Sequence, residues 1–440
     1  MRARSSLAFS LLVACGPQLP APTLDDLRQP TGIALAPDAR HLYVTNGNWD
    51  QNQQGGAILA LALASLDAAL AGAPDDKCER DAELDAFVCD AKRMVVPGSG
   101  VRLGSGAGNL AIDRASGDLV RVLTVTRIDP AVVWLDVAVG KGTPFFDCGQ
   151  DVDGNCDDVH TITAALDRPD VELPANPSRI AVDTTGYRYA YVPHMLGSML
   201  SLIALDGEFG PELADVVDEF YHDDPFEGTD FAGGFGVASR PCDPAAAPSG
   251  ARECTRPFLY TSQRFYPSVR RFGVAPGLDL LLPGDESVVA GLNPNAVESV
   301  PFMGDVAFED PTDAALLAVQ TSPAGLLRID TSVAEDGDPR DRLVGTVPLC
   351  EQPNLLAVHR PADREALALV TCYGEGTLAV VGLGSFRLLA EIELGDGANE
   401  IAIDAANARA FVANTRDDSI SVVGLDPATH GYLRELARIR

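Results

Sequence analysis

The chain predicts an all-β fold: a β-propeller of seven blades, each of four antiparallel strands, with inserts in the connecting loops. Three observations predict it. One strand–turn–strand pattern recurs seven times. Its last two copies, at Ala357 and Ala402, stand about 45 residues apart, near the roughly 40–50 of one propeller blade. A small residue, usually alanine, also returns at one position of the first strand, which suits strands crowding towards an axis. A pair of β-sandwiches is the competing arrangement, and the recurrent small residue favours the propeller over it.

The N-terminus comes first. Met1 to Ser6 carries two arginines, and Leu7 to Ala14 is apolar but too brief to span a bilayer, so residues 1–14 read as an export signal. Cys15 follows in Leu12-Val13-Ala14-Cys15, which resembles the bacterial lipobox. That resemblance implies a diacylglyceryl group on the Cys15 thiol after cleavage before it. An ordinary signal peptide with a chance cysteine is the alternative. Each lipid methylene contributes about 0.8 kcal/mol of membrane attachment, so two or three chains hold a soluble domain firmly. Residues 15–28 are then expected to be the lipidated N-terminus and a semi-stiff, proline-bearing tether.

The propeller is expected over residues 29–440. Its first copy runs from Gly32 through Ala34-Leu35-Ala36-Pro37-Asp38 to Tyr43-Val44-Thr45-Asn46. The second pairs Asn109 to Asp113 with Val122 to Thr126 and Val132 to Leu135. The third takes Ser178 to Asp183, Tyr189 to Val192 and Leu200 to Ile203. The fourth starts near Gly236 and resumes at Phe258 to Thr261 and Val269 to Phe272, after a cysteine-bearing insert. The fifth uses Asp305 to Phe308, Leu316 to Thr321 and Leu326 to Ile329. The sixth uses Leu355 to Val358, Ala366 to Thr371 and Thr377 to Val381. The seventh runs Asn399 to Asp404, Ala410 to Asn414, Ser419 to Val423, and closes at Leu433 to Ile439.

On these residues the chain resembles the YVTN-type β-propeller repeat family. Tyr43-Val44-Thr45-Asn46 reproduces the signature, and Phe411-Val412-Ala413-Asn414 is a conservative copy. Val125-Thr126-Arg127 and Val192-Pro193-His194 depart from it, so the likeness is strong at the two ends and degenerate between.

Apart from Cys15, eight cysteines stand in neighbouring couples: Cys78 with Cys89, Cys148 with Cys156, Cys242 with Cys254, and Cys350 with Cys372. An even count in an exported chain reads as disulfides, and proximity favours these couples. Metal thiolate chemistry is the alternative, but no CxxC is present. Composition limits function further. With 63 acidic against 33 basic residues the formal charge is -30, which argues against nucleic acid and against an anionic lipid face.

In an antiparallel blade the loop after the second strand and the approach to the next first strand share one rim of the channel. Alignment places Asn46, Arg127, His194, Gln263, Thr321, Tyr373 and Asn414 there from second strands. From the first strands come Gln29, Asn109, Asn176, Asp305, Asn354 and Glu400. Polar groups at such a mouth suit binding; the alternative is that the asparagines simply make tight turns. His194 is the foremost single candidate for chemistry. No HExxH, GxSxG or P-loop pattern occurs. The alternation Asp151, Asp153, Asn155, Asp157 resembles an EF-type Ca²⁺ loop. It departs at Cys156, where glycine belongs, and at Ile162, where the bidentate glutamate belongs. A disulfide holding an acidic turn is the other reading.

The sequence therefore leads to an expectation of a monomeric, lipid-anchored propeller at the bacterial envelope, at the outer membrane, with a single-membrane cell as the alternative. It would act as a binding or interaction module for an envelope protein, glycan or peptide, with Ca²⁺ as the only cofactor suggested. The alternative is a hydrolase of lactonase type with its site at the channel mouth, as in some propellers similar to this one.

Overall fold

The computed structural model describes residues 19–73, 75–116, 119–138, 143–197, 199–218, 233–241, 258–265, 268–283, 303–309, 315–332, 339–362 and 364–440. Cys15, the export signal and the Cys242–Cys254 couple lie outside the described residues. Seven antiparallel sheets form a seven-bladed β-propeller. The first strands of the blades are Pro30–Leu35, Ala107–Ser116, Ala181–Val182, Gly234–Ser239, Met303–Phe308, Pro353–His359 and Ala398–Asp404. Each touches the first strand of the next blade, and the first of all touches the last, so the ring closes.

The register confirms the repeat. The recurrent alanines pair across to one equivalent position of the second strand: Ala34 with Tyr43, Ala111 with Leu123, Ala181 with Tyr191 and Ala238 with Tyr260. Ala307 with Leu317, Ala357 with Leu369 and Ala402 with Phe411 complete the set. Second strands such as His41–Asn46 and Leu367–Cys372 are buried throughout. A neighbouring blade covers each face, so an uninterrupted apolar run replaces alternation. Tyr43 and Ile58 of blade 1 pack with Val122 and Val133 of blade 2. Val44 and Leu59, on the opposite face, pack with Phe411 and Ile420 of blade 7.

The closest approach at the axis falls before the alanines. A Cβ on Gly32 would collide with the Gly108 carbonyl of the next blade, and one on Gly304 with that of Asn354. Hydroxyls and amides stitch the seams here. Thr45 Oγ1 donates to the Gly108 carbonyl at 2.7 Å. Asn109 exchanges two hydrogen bonds of 2.9 Å with the Ile180 backbone. Ser178 reaches Gly234 at 2.9 Å, Ser262 reaches Gly304, Thr321 reaches Pro353 at 2.7 Å and Thr415 reaches Pro30 at 2.8 Å. The threonine of Tyr43-Val44-Thr45-Asn46 is thus a seam residue.

Blade 1 carries an insert with two short helices, Ala64–Leu70 and Ala91–Met94, and a hairpin, Cys78–Asp81 with Ala86–Cys89. The Cys78–Cys89 disulfide closes the hairpin. Its second strand adds in parallel to Glu435–Ile439, the outer strand of blade 7. Arg409 of blade 7 also meets Asp67 of the first helix at 2.6 Å. The insert therefore bridges the first and last blades from outside. Cys148–Cys156 and Cys350–Cys372 are also bonded, as their proximity in sequence led us to expect.

Candidate functional site

In six of the seven first strands the register shifts near the start, as between Ala107 and Leu110, Met303 and Val306, or Ala398 and Ile401. A bulge re-aims a side chain. Here it falls at the end of the channel where the loops after the second strands gather. All seven blades contribute to a pocket of about 1000 Å³ at this mouth. Gln29, Asn109, Arg127, Thr321, Asn354, Tyr373 and Glu400, placed on the rim by alignment, line it. So do Trp49, Arg179, Met195, Phe235, Arg264 and Arg416, which the sequence reading did not single out.

Arg179 spans the pocket at depth. Its guanidinium donates to both Glu400 carboxylate oxygens, at 2.8 and 3.0 Å, and stands 3.4 Å from Asp305. The three residues come from blades 3, 7 and 5. Each precedes a recurrent alanine by two residues, so they share one level of the channel. At that level blades 1 and 4 carry Gly32 and Gly236. Burial opposes the Arg179 charge, but Asp305 and Glu400 outweigh it and hold it firmly protonated. Burial pushes the Asp305 carboxyl up to about 6. Glu400 adds to the rise, while Arg179 and the Val306 and Leu356 amides oppose it.

Three more arginines stand on the wall, each over an aromatic ring. Arg127 lies 5.0 Å from the Trp49 ring centre, Arg264 4.5 Å from Phe235 and Arg416 4.5 Å from Tyr373. Arg127 donates to Asn176 Oδ1 at 2.8 and 3.0 Å. Arg264 donates to the Met303 carbonyl, Thr321 Oγ1 and Asn354 Oδ1 at 3.1 to 3.3 Å. Desolvation pushes Arg127 down to about 10, helped by the charge of Arg264. Desolvation likewise pushes Arg264 down to about 10.

The other rim candidates turn into the protein. Asn46 is buried, bonded to the backbone of Arg28 and Asp26. Asn414 is buried, donating to Ser419 and Ser421. Gln263 is fully buried, beside Thr261 at 3.5 Å. His194 is fully buried, 2.8 Å from Ser201 Oγ through Nε2. Desolvation pushes His194 down to about 4 against a smaller opposing effect from the Ala175 and Pro174 backbone, so it is a neutral core histidine. Asn176 holds Arg127 in place.

The acidic loop is organised by its own hydrogen bonds. The Asp151 carboxylate accepts from the Asp153 amide at 2.8 Å and from the Asn155 amide and side chain at 3.0 Å. Asp157 accepts from His160 Nδ1 at 2.7 Å, and Cys148–Cys156 closes the loop. Among the described residues no three His, Cys, Asp or Glu side chains form a group suited to a metal ion.

The mouth of the channel thus defines the protein as a seven-bladed propeller with an arginine-rich terminal pocket. No family model and no curated protein matches the chain. Solved structures share its fold. A putative 6-phosphogluconolactonase from Bacteroides fragilis is 12% identical over 92% of this chain and 98% of that chain, with a TM-score of 0.53. The periplasmic gluconolactonase of Pseudomonas aeruginosa is 16% identical over 83% and 86%, with a TM-score of 0.52. Hydrazine synthase from Kuenenia stuttgartiensis is 13% identical over 92% and 98%, also at 0.52. At such identities the likeness establishes the fold alone.

Proposed function

We propose that the protein is an extracytoplasmic binding module, held to the bacterial envelope at the outer membrane by lipid on Cys15, that takes its ligand in the channel-mouth pocket. One observation carries the reading. The pocket draws on all seven blades, and Glu400, the buried carboxylate among its lining residues, is held by Arg179 through both oxygens. A general base needs a carboxylate free to move a proton to or from substrate. Glu400 is instead spent on a cation, and Asp305, beside the same cation, is buried and is not among the residues lining the pocket. This favours recognition over the lactonase alternative, to which the gluconolactonase likeness lends only a shared fold.

The test uses the pocket mouth. Wild-type protein is expected to capture a partner, glycan or peptide from envelope extracts, and Trp49→Ala and Arg416→Glu are expected to lose it. Equal capture by both variants contradicts the reading. Opening of sugar lactones by the purified chain, with or without Ca²⁺, and its loss in Glu400→Gln would replace binding with catalysis. Attachment is tested by metabolic labelling with a fatty-acid probe, expected in the wild type and lost in Cys15→Ser.

A further inference from the structure

We propose that the pocket recognises a small organic anion, its carboxylate or phosphate group held between Arg127 and Arg264 and its body against the aromatic wall. This rests on the pocket being a ligand site and adds the chemical class. The argument starts from charge. The chain carries a formal charge of -30, yet four arginines against two glutamates line this cavity. Arg179 is matched by Glu400 and Asp305, and Arg416 stands 3.5 Å from Asp396. Arg127 and Arg264 differ. Among the described residues, no carboxylate lies within ion-pair distance of either, and their partners are neutral: an asparagine each, a carbonyl, a hydroxyl, a thioether and two rings.

Two like charges in one desolvated cavity are unfavourable unless something compensates them. Neither is free to lose its proton near neutrality, since an arginine guanidinium stays charged there. The neutral acceptors fix both heads in place while leaving the charge unbalanced. Fixed guanidinium forks match the planar oxygens of carboxylate or phosphate. Trp49 beneath Arg127 and Phe235 beneath Arg264 supply flat apolar surface beside the forks, which suits a ring or sugar attached to the anion. A cavity of about 1000 Å³ has room for a molecule of that kind.

The experiment is calorimetric titration of the full chain with benzoate, gluconate and inorganic phosphate, with benzamide and glucose as neutral counterparts. Trp49 emission gives a second readout. The other tryptophan, Trp134, is buried beside Arg121 and His160 and serves as an internal constant. The expected result is saturable binding of at least one anion, no binding of its neutral counterpart, and at least tenfold weaker binding in Arg127→Met and in Arg264→Met. Both variants are also expected to melt at or above the wild type, because each removes an unbalanced buried charge. Binding of neutral compounds with none of the anions would overturn the anion class and leave the pocket reading standing. Silence of all five in the wild type, or melting of both variants well below it, would overturn the anion site.

Discussion

At the scale of single residues, the Arg179 cluster decides most. Removing one partner of a buried ion pair leaves the others uncompensated, so Arg179→Met is expected to destabilise by about 3 kcal/mol, read by denaturant unfolding. Asp305 gives a pH signature. Its carboxyl holds a proton up to about 6 in the fold, whereas the unfolded chain releases it near 4. Between those values the folded state binds more protons, so this group's contribution to stability falls as pH rises. Asp305→Asn should therefore gain on the wild type between pH 4 and pH 7. His194 runs the other way. It protonates only near 4 in the fold but near 6.5 when unfolded, so its contribution rises with pH across that window. His194→Gln should flatten that rise in melting temperature, and an unchanged profile would contradict the buried neutral histidine.

The same residues show what the sequence could and could not reveal. Asp305 and Glu400 were legible because they open obvious strands. Arg179 is passed over because the alignment takes the approach to blade 3 at Asn176, although Arg179 stands inside the first strand read over Ser178 to Asp183, of which the structure keeps only Ala181–Val182 as strand. Counting two residues back from each recurrent alanine would have found it beside the other two. His194 lies buried rather than on the rim for a physical reason. The strand end in blade 3 carries its side chain into the sheet beside Ser201, and alignment gives a level but not a direction. Trp49 and Phe235 lacked any signal, since an aromatic near a turn reads equally well as core.

At the scale of elements, seams matter more than strands. Thr45 donates to the next blade, so Thr45→Val is expected to cost about 1 kcal/mol, and more if the Gly108 carbonyl then stays unpaired. The insert of blade 1 is a latch. The Cys78–Cys89 loop spans 11 residues, and its loss should cost about 3 kcal/mol in the chain-entropy model. If the hairpin secures the closing seam, Cys78→Ser with Cys89→Ser should raise hydrogen exchange in Glu435–Ile439 before the other outer strands. Uniform exchange would show that the latch is ornamental. The strands themselves were readable, because apolar runs and turn residues recur. The latch was not, because parallel pairing across hundreds of residues leaves no local trace.

At the scale of the whole molecule, the tether and the pocket are connected. Leu19 and Pro20 bond to Gln54, and Thr23 to Gln53, in the loop that brings Trp49 to the pocket. The four steps of chain from Cys15 to Leu19 reach at most about 14 Å. Lipidation at Cys15, as proposed above, would thus hold the pocket face close to the bilayer. A fluorophore near Trp49 is expected to be quenched by lipid-borne acceptors more strongly than one at Arg364, in the loop between the first and second strands of blade 6 at the opposite end of the channel. Equal quenching would contradict that orientation.

The most direct test of the ligand site is a crystal of the full chain soaked with p-bromobenzoate and read by bromine anomalous scattering. The account predicts a peak inside the channel mouth, with the carboxylate bonded to Arg127 and Arg264. Bromine found only on the outer faces of the ring, with both guanidinium groups bare, would contradict it.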